Sequence, residues 1–169
     1  MIFQFRALSD ENDRFLRDYQ LIYNATLKDF HDFICGDLSF DGESMASFFI
    51  ADREWEKQQE FTLMDMAPDE SMPDAPRPMD RVRIDEVIGD TGDRLIYTFD
   101  AFGDRSLFME MVGVYKAEEG TEYPHTVLAE GAAPRQFDAG ALAGEDSLFD
   151  EAMDEFCGFE GDDSYQDDF

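Results

Sequence analysis

Basic side chains are scarce in this sequence. Thirteen Lys and Arg residues stand against 41 Asp and Glu residues, which gives a net charge of -28 at pH 7. A negative field of this size repels phosphate backbones and anionic lipid headgroups, so direct binding to nucleic acids or to membranes is disfavoured. A basic partner, cations or solubility alone would each account for this charge, and among partners we expect a protein.

Long apolar runs are also missing. The longest apolar patch, Met45 to Ala51, contains Ser47 and is far too short to span a bilayer. The first ten residues, MIFQFRALSD, lack the basic and apolar regions of a signal peptide. The two cysteines, Cys35 and Cys157, lie far apart in sequence, which favours free thiols in a reducing compartment. These absences together predict a cytoplasmic protein.

Motifs of catalytic and metal sites are absent as well. The sequence has two histidines, no Gly-x-Ser-x-Gly elbow and no Gly-rich phosphate loop followed by Lys. Cys-x-x-Cys, His-Glu-x-x-His and the Asp-x-Asp-x-Asp-Gly calcium loop do not occur either. We expect no cofactor and no metal ion, and the sequence favours a protein that is not an enzyme.

Enough apolar residues are present to fold the chain. Hydrophobic residues make up 43% and aromatic residues 14% of the 169 positions, which is incompatible with a wholly disordered chain. Ile2 to Leu8 and Phe15 to Tyr23 alternate in polarity and predict two paired strands. Thr26 and Asp29 predict the start of a helix, and Gly36 predicts its end.

The stretch Arg83 to Val114 has the densest structural signals. It predicts a short helix at Ile84 to Ile88, followed by two strands joined by the turn Asp100 to Ser106. Further strands are predicted where short apolar runs occur, at Phe48 to Ala51, Phe61 to Met66 and Thr126 to Glu130. The predicted fold class is α+β, a mostly antiparallel sheet packed against a few short helices.

Two segments are expected to lie outside the core. Ala67 to Asp80 holds four of the six prolines and predicts a surface loop. We place the domain at residues 1–131 and a disordered acidic tail at 132–169, because Glu145 to Phe169 has eleven acidic and no basic residues. The tail is either a solubilising extension or a partner-binding element built on spaced aromatic residues, among them Phe149, Phe156 and Phe159.

Four residues are the candidates for catalysis. His31 could act with the carboxylates Asp100, Asp104 and Glu110 in a hydrolase or a metal-dependent enzyme. This requires the side chains to converge within about 4–6 Å in a cleft. The competing interpretation is that His31 is a hydrogen-bonded core residue, while the Asp side chains cap a turn and Glu110 faces solvent.

Aromatic residues are the candidates for binding. Phe48, Phe49 and Trp55 could form a recognition surface, although ordinary core packing would also explain them. The leading hypothesis is a non-catalytic interaction module whose acidic tail modulates partner binding. The enzyme described above is the alternative hypothesis. A second alternative, suggested by the negative charge, is a DNA mimic that inhibits a nucleic-acid-binding protein.

Several motifs resemble one known family. The motifs lie at Ile84 to Ile88, Gly92 to Asp100, Gly103-Asp104, Met109 to Met111 and in the helix Leu27 to Ile34. They resemble the plasmid pRiA4b ORF-3-like family, in particular an acidic-tailed branch of Bacteroidetes-like bacteria. The resemblance spans about Met1 to Val114. It implies an α+β domain without a clear activity, associated with plasmids and with an insertion-element passenger labelled a resolvase.

The sequence also departs from that family. Many members carry Gly-Trp and a His before the third strand, where this chain has Leu38 to Phe40 and Met45 to Ser47. They carry Trp and His after the Gly-Asp turn, where this chain has Arg105 to Phe108. If those residues form a site elsewhere in the family, the resemblance implies that the site is eroded here.

Overall fold

The computed structural model describes residues 1–65 and 75–137. Within them, eight strands form one sheet in the order β5-β4-β3-β6-β7-β1-β2-β8. Every neighbouring pair is antiparallel except β4 and β5, so the expected α+β fold is confirmed. The elements are β1 (Ile2–Ser9), β2 (Leu16–Ile22), α1 (Leu27–Leu38), β3 (Ser47–Ala51), β4 (Lys57–Thr62), β5 (Arg77–Pro78), α2 (Ile84–Val87), β6 (Arg94–Asp100), β7 (Arg105–Tyr115) and β8 (His125–Glu130).

The predicted hairpin lies in the middle of the sheet. Strands β6 and β7 pair with Leu95 opposite Met109 and Tyr97 opposite Leu107. These four side chains are buried on the same face, as alternation predicts. Strand β6 also pairs with β3, and β7 also pairs with β1, so the hairpin joins the two halves of the sheet.

Helix α1 covers one face of the sheet. The Thr26 side chain accepts a hydrogen bond from the Asp29 amide and the Asp29 carboxylate accepts one from the Thr26 amide, so the predicted start is confirmed. The predicted end at Gly36 is wrong, because the helix continues to Leu38 and ends at Ser39 in the left-handed conformation. The continuation to Leu38 buries that side chain, which outweighs a helix-propensity cost of about 1 kcal/mol for the exposed glycine.

The core lies between this helix and the sheet. Phe30 of α1 stacks on Phe48 of β3 with ring centroids 5.5 Å apart, and it also contacts Phe5 of β1. A short 3-10 turn at Met79–Arg81 and helix α2 add Met79 and Ile84 to the same cluster. We refer to this side of the sheet as the inner face.

Strand β4 differs from the prediction. It runs from Lys57 to Thr62 and not from Phe61 to Met66. The polar residues before Phe61 belong to the strand because they pair with β3. The chain turns after Thr62, whose hydroxyl donates a hydrogen bond to the Met64 carbonyl. Pairing with a neighbouring strand therefore outweighs local polarity here. Met66 lies outside the described residues.

The other predicted peripheral segments are described in part. Pro76 and Pro78 lie within the described residues and Pro68 and Pro73 lie outside them, so the predicted loop is only partly visible. At the other end, the Ala132 carbonyl accepts from Asn12 and the Gln136 carbonyl accepts from Arg105. Contacts with the body thus continue past residue 131, while residues 138–169 lie outside the described part.

The outer face of the sheet carries a row of alternating charges. Asp18, Arg6, Glu110 and Arg94 are successive neighbours across β2, β1, β7 and β6. Arg6 donates two 2.9 Å hydrogen bonds to Asp18, whose side chain is only 5% exposed. No helix covers this row among the described residues, and none of the described helices is long and apolar enough to cross a membrane.

Candidate interaction surface

The three predicted binding residues lie in different places. Phe48 is completely buried on the inner face against Phe30, so it does not contribute to a surface. Its neighbour Phe49 points to the outer face, because successive residues of a strand face opposite sides. Trp55 lies in the loop between β3 and β4 and also reaches the outer face. Only Phe49 and Trp55 therefore remain as surface candidates.

These two rings belong to a larger cluster, which we call the aromatic patch: Phe49, Trp55, Phe108, Lys57 and Arg94. The Trp55 ring meets the Phe108 ring edge-on at 5.4 Å between centroids. The Arg94 guanidinium lies 4.5 Å from the Trp55 ring centroid, and the Lys57 amino group lies 4.6 Å from that of Phe49. All three rings are partly exposed, so they offer apolar area to a partner.

An unusual backbone conformation holds Trp55 in the patch. Its φ is 63°, in the left-handed region that a bulky residue rarely adopts. The Asp52 carboxylate accepts hydrogen bonds from the amides of Glu54 and Glu56, which fixes the loop around Trp55. Such strain costs about 1–3 kcal/mol and persists where the surroundings enforce it. The loop is thus built to place this ring over the sheet.

Both cations of the patch are paired within the chain. Arg94 donates to Glu110 at 3.2 Å and also donates to the Arg53 carbonyl. Lys57 donates to Asp104 at 3.1 Å. The patch is therefore close to neutral, and two of the predicted catalytic carboxylates serve here as ion-pair partners.

His31 lies on the inner face and is fully buried. Its Nε2 is 2.9 Å from the Gly42 carbonyl oxygen, which can only accept, so Nε2 carries the proton. The Tyr97 hydroxyl then donates to Nδ1 across 2.8 Å. The Cys35 sulfur lies 3.5 Å from the same hydroxyl and can donate to it. The result is a chain of hydrogen bonds from Cys35 through Tyr97 and His31 to Gly42.

Burial determines the protonation of this chain. It lowers the pKa of His31, and it raises the pKa of the Cys35 thiol and of the Tyr97 hydroxyl. All three groups are therefore neutral near pH 7. They connect α1 to β6 and to the loop after the helix, with no opening to solvent at His31.

The predicted catalytic residues do not converge. Glu110 faces the outer side, between Met109 and Met111 on the inner side, so the sheet separates it from His31. Asp104 is 81% exposed at its side chain and binds Lys57. Asp100 caps the hairpin turn by accepting from the Gly103 amide. In residues 1–65 and 75–137, no three His, Cys, Asp or Glu side chains are grouped closely enough to hold a metal ion.

Sequence reasoning missed three members of the patch. Phe108 alternates with the buried Leu107 and Met109, which could have placed it on the open face of β7. Arg94 and Lys57 needed the strand register, which local patterns do not provide. The tail residues Phe149, Phe156 and Phe159 lie outside the described residues.

One solved structure supports the fold. A crystal structure of a protein of unknown function from Methanosarcina mazei Go1 is similar with a TM-score of 0.66 and 15% sequence identity. The match covers 87% of this chain and 79% of the archaeal chain. At that identity the likeness is one of fold. No curated protein matches the sequence.

The sequence itself assigns the family. The profile of the plasmid pRiA4b ORF-3-like proteins matches residues 2–155, nearly the whole chain. It agrees with the motifs of the first helix and of the β6-β7 hairpin, both of which the structure places in the core. This chain belongs to the plasmid pRiA4b ORF-3-like protein family.

Proposed function

We propose that this protein is a non-catalytic, cytoplasmic interaction module that binds a partner protein through the aromatic patch. The observation that carries the proposal is the arrangement of Phe49, Trp55 and Phe108 as partly exposed rings on the outer face, where no described helix covers them. Aromatic residues are enriched in protein interfaces, and Trp is among the residue types that carry most of their binding energy.

The ion pairs of the patch favour a protein partner further. Arg94 and Lys57 contact the rings and pair with Glu110 and Asp104, which reduces the side-chain freedom that they would lose on binding. The strained Trp55 loop has the same effect, because the ring is already in place before a partner arrives. Pre-organisation of this kind is typical of a binding surface.

A catalytic role has less support. His31, whose pKa is lowered by burial, has both ring nitrogens hydrogen-bonded inside the core. A general base must reach the proton that it removes. Its position favours a structural role.

Partner capture with matched variants tests the proposal. Tagged wild-type protein, Trp55→Ala and Phe102→Ala are compared in lysate of the native host, after thermal melts confirm that each variant folds. Phe102 is 98% exposed and lies outside the patch, so it controls for the loss of any surface ring. Trp55→Ala should lose partners that wild type and Phe102→Ala both retain. Equal recovery by all three proteins contradicts the proposal.

The acidic segment is the second part of the proposal. Residues 145–169 lie outside the described part, and their eleven acidic side chains would alter the attraction of a charged partner. Full-length protein and a form truncated after Gly144 should capture partners in different amounts. Identical partner lists and yields would show that the segment does not modulate binding.

A further inference from the structure

A second surface lies beside α1 at the end of β2, and it shares no residue with the aromatic patch. It is a groove of about 640 Å³ between α1 and the segment that leads into β8. Its apolar lining comes from Ile22, Ala25, Phe33, Tyr123 and Pro124. The groove does not overlap with the His31 cluster, which is closed to solvent.

The aromatic walls of the groove are held in fixed orientations. Phe33 packs edge-on against Tyr19 at 5.5 Å between ring centroids. Tyr123 stacks on His125 at 5.0 Å, and its hydroxyl accepts a hydrogen bond from the Glu118 amide. Aromatic ring faces attract Arg and Lys side chains, with a gain of about 0.5–2 kcal/mol per contact.

Carboxylates line the same groove. Asp29 and Asp32 belong to its lining, and both side chains are exposed. Lys28 pairs with Asp32, and Asp29 accepts from the Thr26 amide, so the local charge stays negative. The nearby Arg83 is paired with Asp85 and Glu86. With a net charge of -28 on the whole chain, a cationic ligand is attracted from a distance and meets carboxylates on arrival.

We propose that this groove binds a basic segment of a partner protein, in which an apolar side chain enters the groove and flanking Arg or Lys side chains contact Tyr123 and Asp32. Charge complementarity selects this occupant. An acidic or neutral peptide would meet the carboxylates without compensation, and a second copy of this chain would bring another -28 charges to the contact.

Short peptides test the proposal directly. Binding of the capped peptide Arg-Arg-Leu-Arg-Arg is measured by calorimetry against the full chain in about 0.15 M NaCl, where the Debye length is about 8 Å. The peptides Arg-Arg-Ser-Arg-Arg and Glu-Glu-Leu-Glu-Glu are the comparisons. The leucine peptide should bind more tightly than the serine peptide, and the acidic peptide should not bind. Equal affinity of the two basic peptides, or no binding of the leucine peptide at about 1 mM, overturns the proposal.

Variants locate the binding in the groove. Tyr123→Ala should lower the affinity for the leucine peptide about fivefold, because the cation–aromatic contact is lost. Asp32→Asn should weaken binding of the leucine peptide about threefold, because it removes an exposed carboxylate and leaves the charge of its partner Lys28 uncompensated beside the groove. Tyr115→Ala removes a half-exposed ring elsewhere, and Glu54→Gln removes one negative charge elsewhere. Losses of the same size in these two controls would show diffuse attraction by net charge and overturn the site.

Discussion

His31 shows how a single polar side chain is accommodated in this core. Its position on the buried side of α1 was predictable from the spacing of Leu27, Phe30 and Ile34. Its partner Tyr97 lies 66 residues away and was not predictable, because the contact depends on where β6 joins the sheet. The core interpretation of His31 agrees with the observed hydrogen bonds.

Removing the Tyr97 hydroxyl should destabilise the fold. Tyr97→Phe leaves His31 Nδ1 buried with only the weakly donating Cys35 thiol, 3.7 Å away, as a donor, which should lower the free energy of unfolding by about 1–3 kcal/mol. Urea unfolding followed by circular dichroism measures the change. The control Tyr115→Phe alters a half-exposed tyrosine and should stay within about 0.5 kcal/mol of wild type. Equal effects of the two variants would contradict this role of Tyr97.

His31 should also make stability depend on pH. Burial lowers its pKa in the folded state, whereas an unfolded histidine titrates near about 6.5. Below that pH the unfolded chain binds a proton that the folded chain does not, so the contribution of His31 is complete above about 6.5 and falls as the solution is acidified.

The comparison with His31→Gln isolates this contribution, because both proteins share the titration of all the carboxylates. The free energy of unfolding of wild type minus that of the variant should decrease between about pH 7 and pH 5. A difference that stays constant over this range would show that the pKa of His31 is not lowered.

At the scale of elements, sequence patterns predicted correctly those features that depend on residues close together in the chain. The start of α1 depends on Thr26 and Asp29, which are three residues apart, and it was predicted correctly. The bounds of β4 depend on pairing with β3 and were predicted wrongly. Partners distant in sequence thus account for the errors.

The cap of α1 offers a test at this scale. Thr26→Ala removes the acceptor for the Asp29 amide and should lower the free energy of unfolding by about 1 kcal/mol. Thr121→Ala, in the loop before β8, serves as the matched control and should have a smaller effect. If thermal or urea unfolding shows the same loss for both variants, the cap does not stabilise the helix as described.

At the scale of the whole molecule, the polarity patterns along the sequence predicted the fold class but not the order of the strands. Strand β1 lies between β7 and β2, a pairing that joins residues about a hundred positions apart. The same limitation applies to the aromatic patch, since Phe49, Trp55 and Phe108 come from three separate segments. Alternation of polarity could assign each residue to one face of its strand, but it could not predict which strands are neighbours in the sheet.

The net charge predicts a response to salt. Exposed ion pairs such as Lys28–Asp32 contribute about 0.3–0.5 kcal/mol each, and salt weakens them. Repulsion among the 41 acidic side chains, which only 13 basic side chains offset, is the larger effect, and salt screens it as well. The urea midpoint should therefore rise when NaCl is raised from about 20 mM to about 500 mM, and KCl should act equally. A lower midpoint at high salt would contradict this balance.

The central claim is that the aromatic patch is the surface where a partner binds. Trp55 is the single tryptophan of the chain, so its fluorescence reports on the patch alone. The most direct measurement is titration of full-length protein with a purified captured partner that lacks tryptophan. Our account predicts a blue shift of the Trp55 emission and weaker quenching by acrylamide at saturation. Unchanged emission and quenching, while calorimetry shows that the partner is bound, would contradict it.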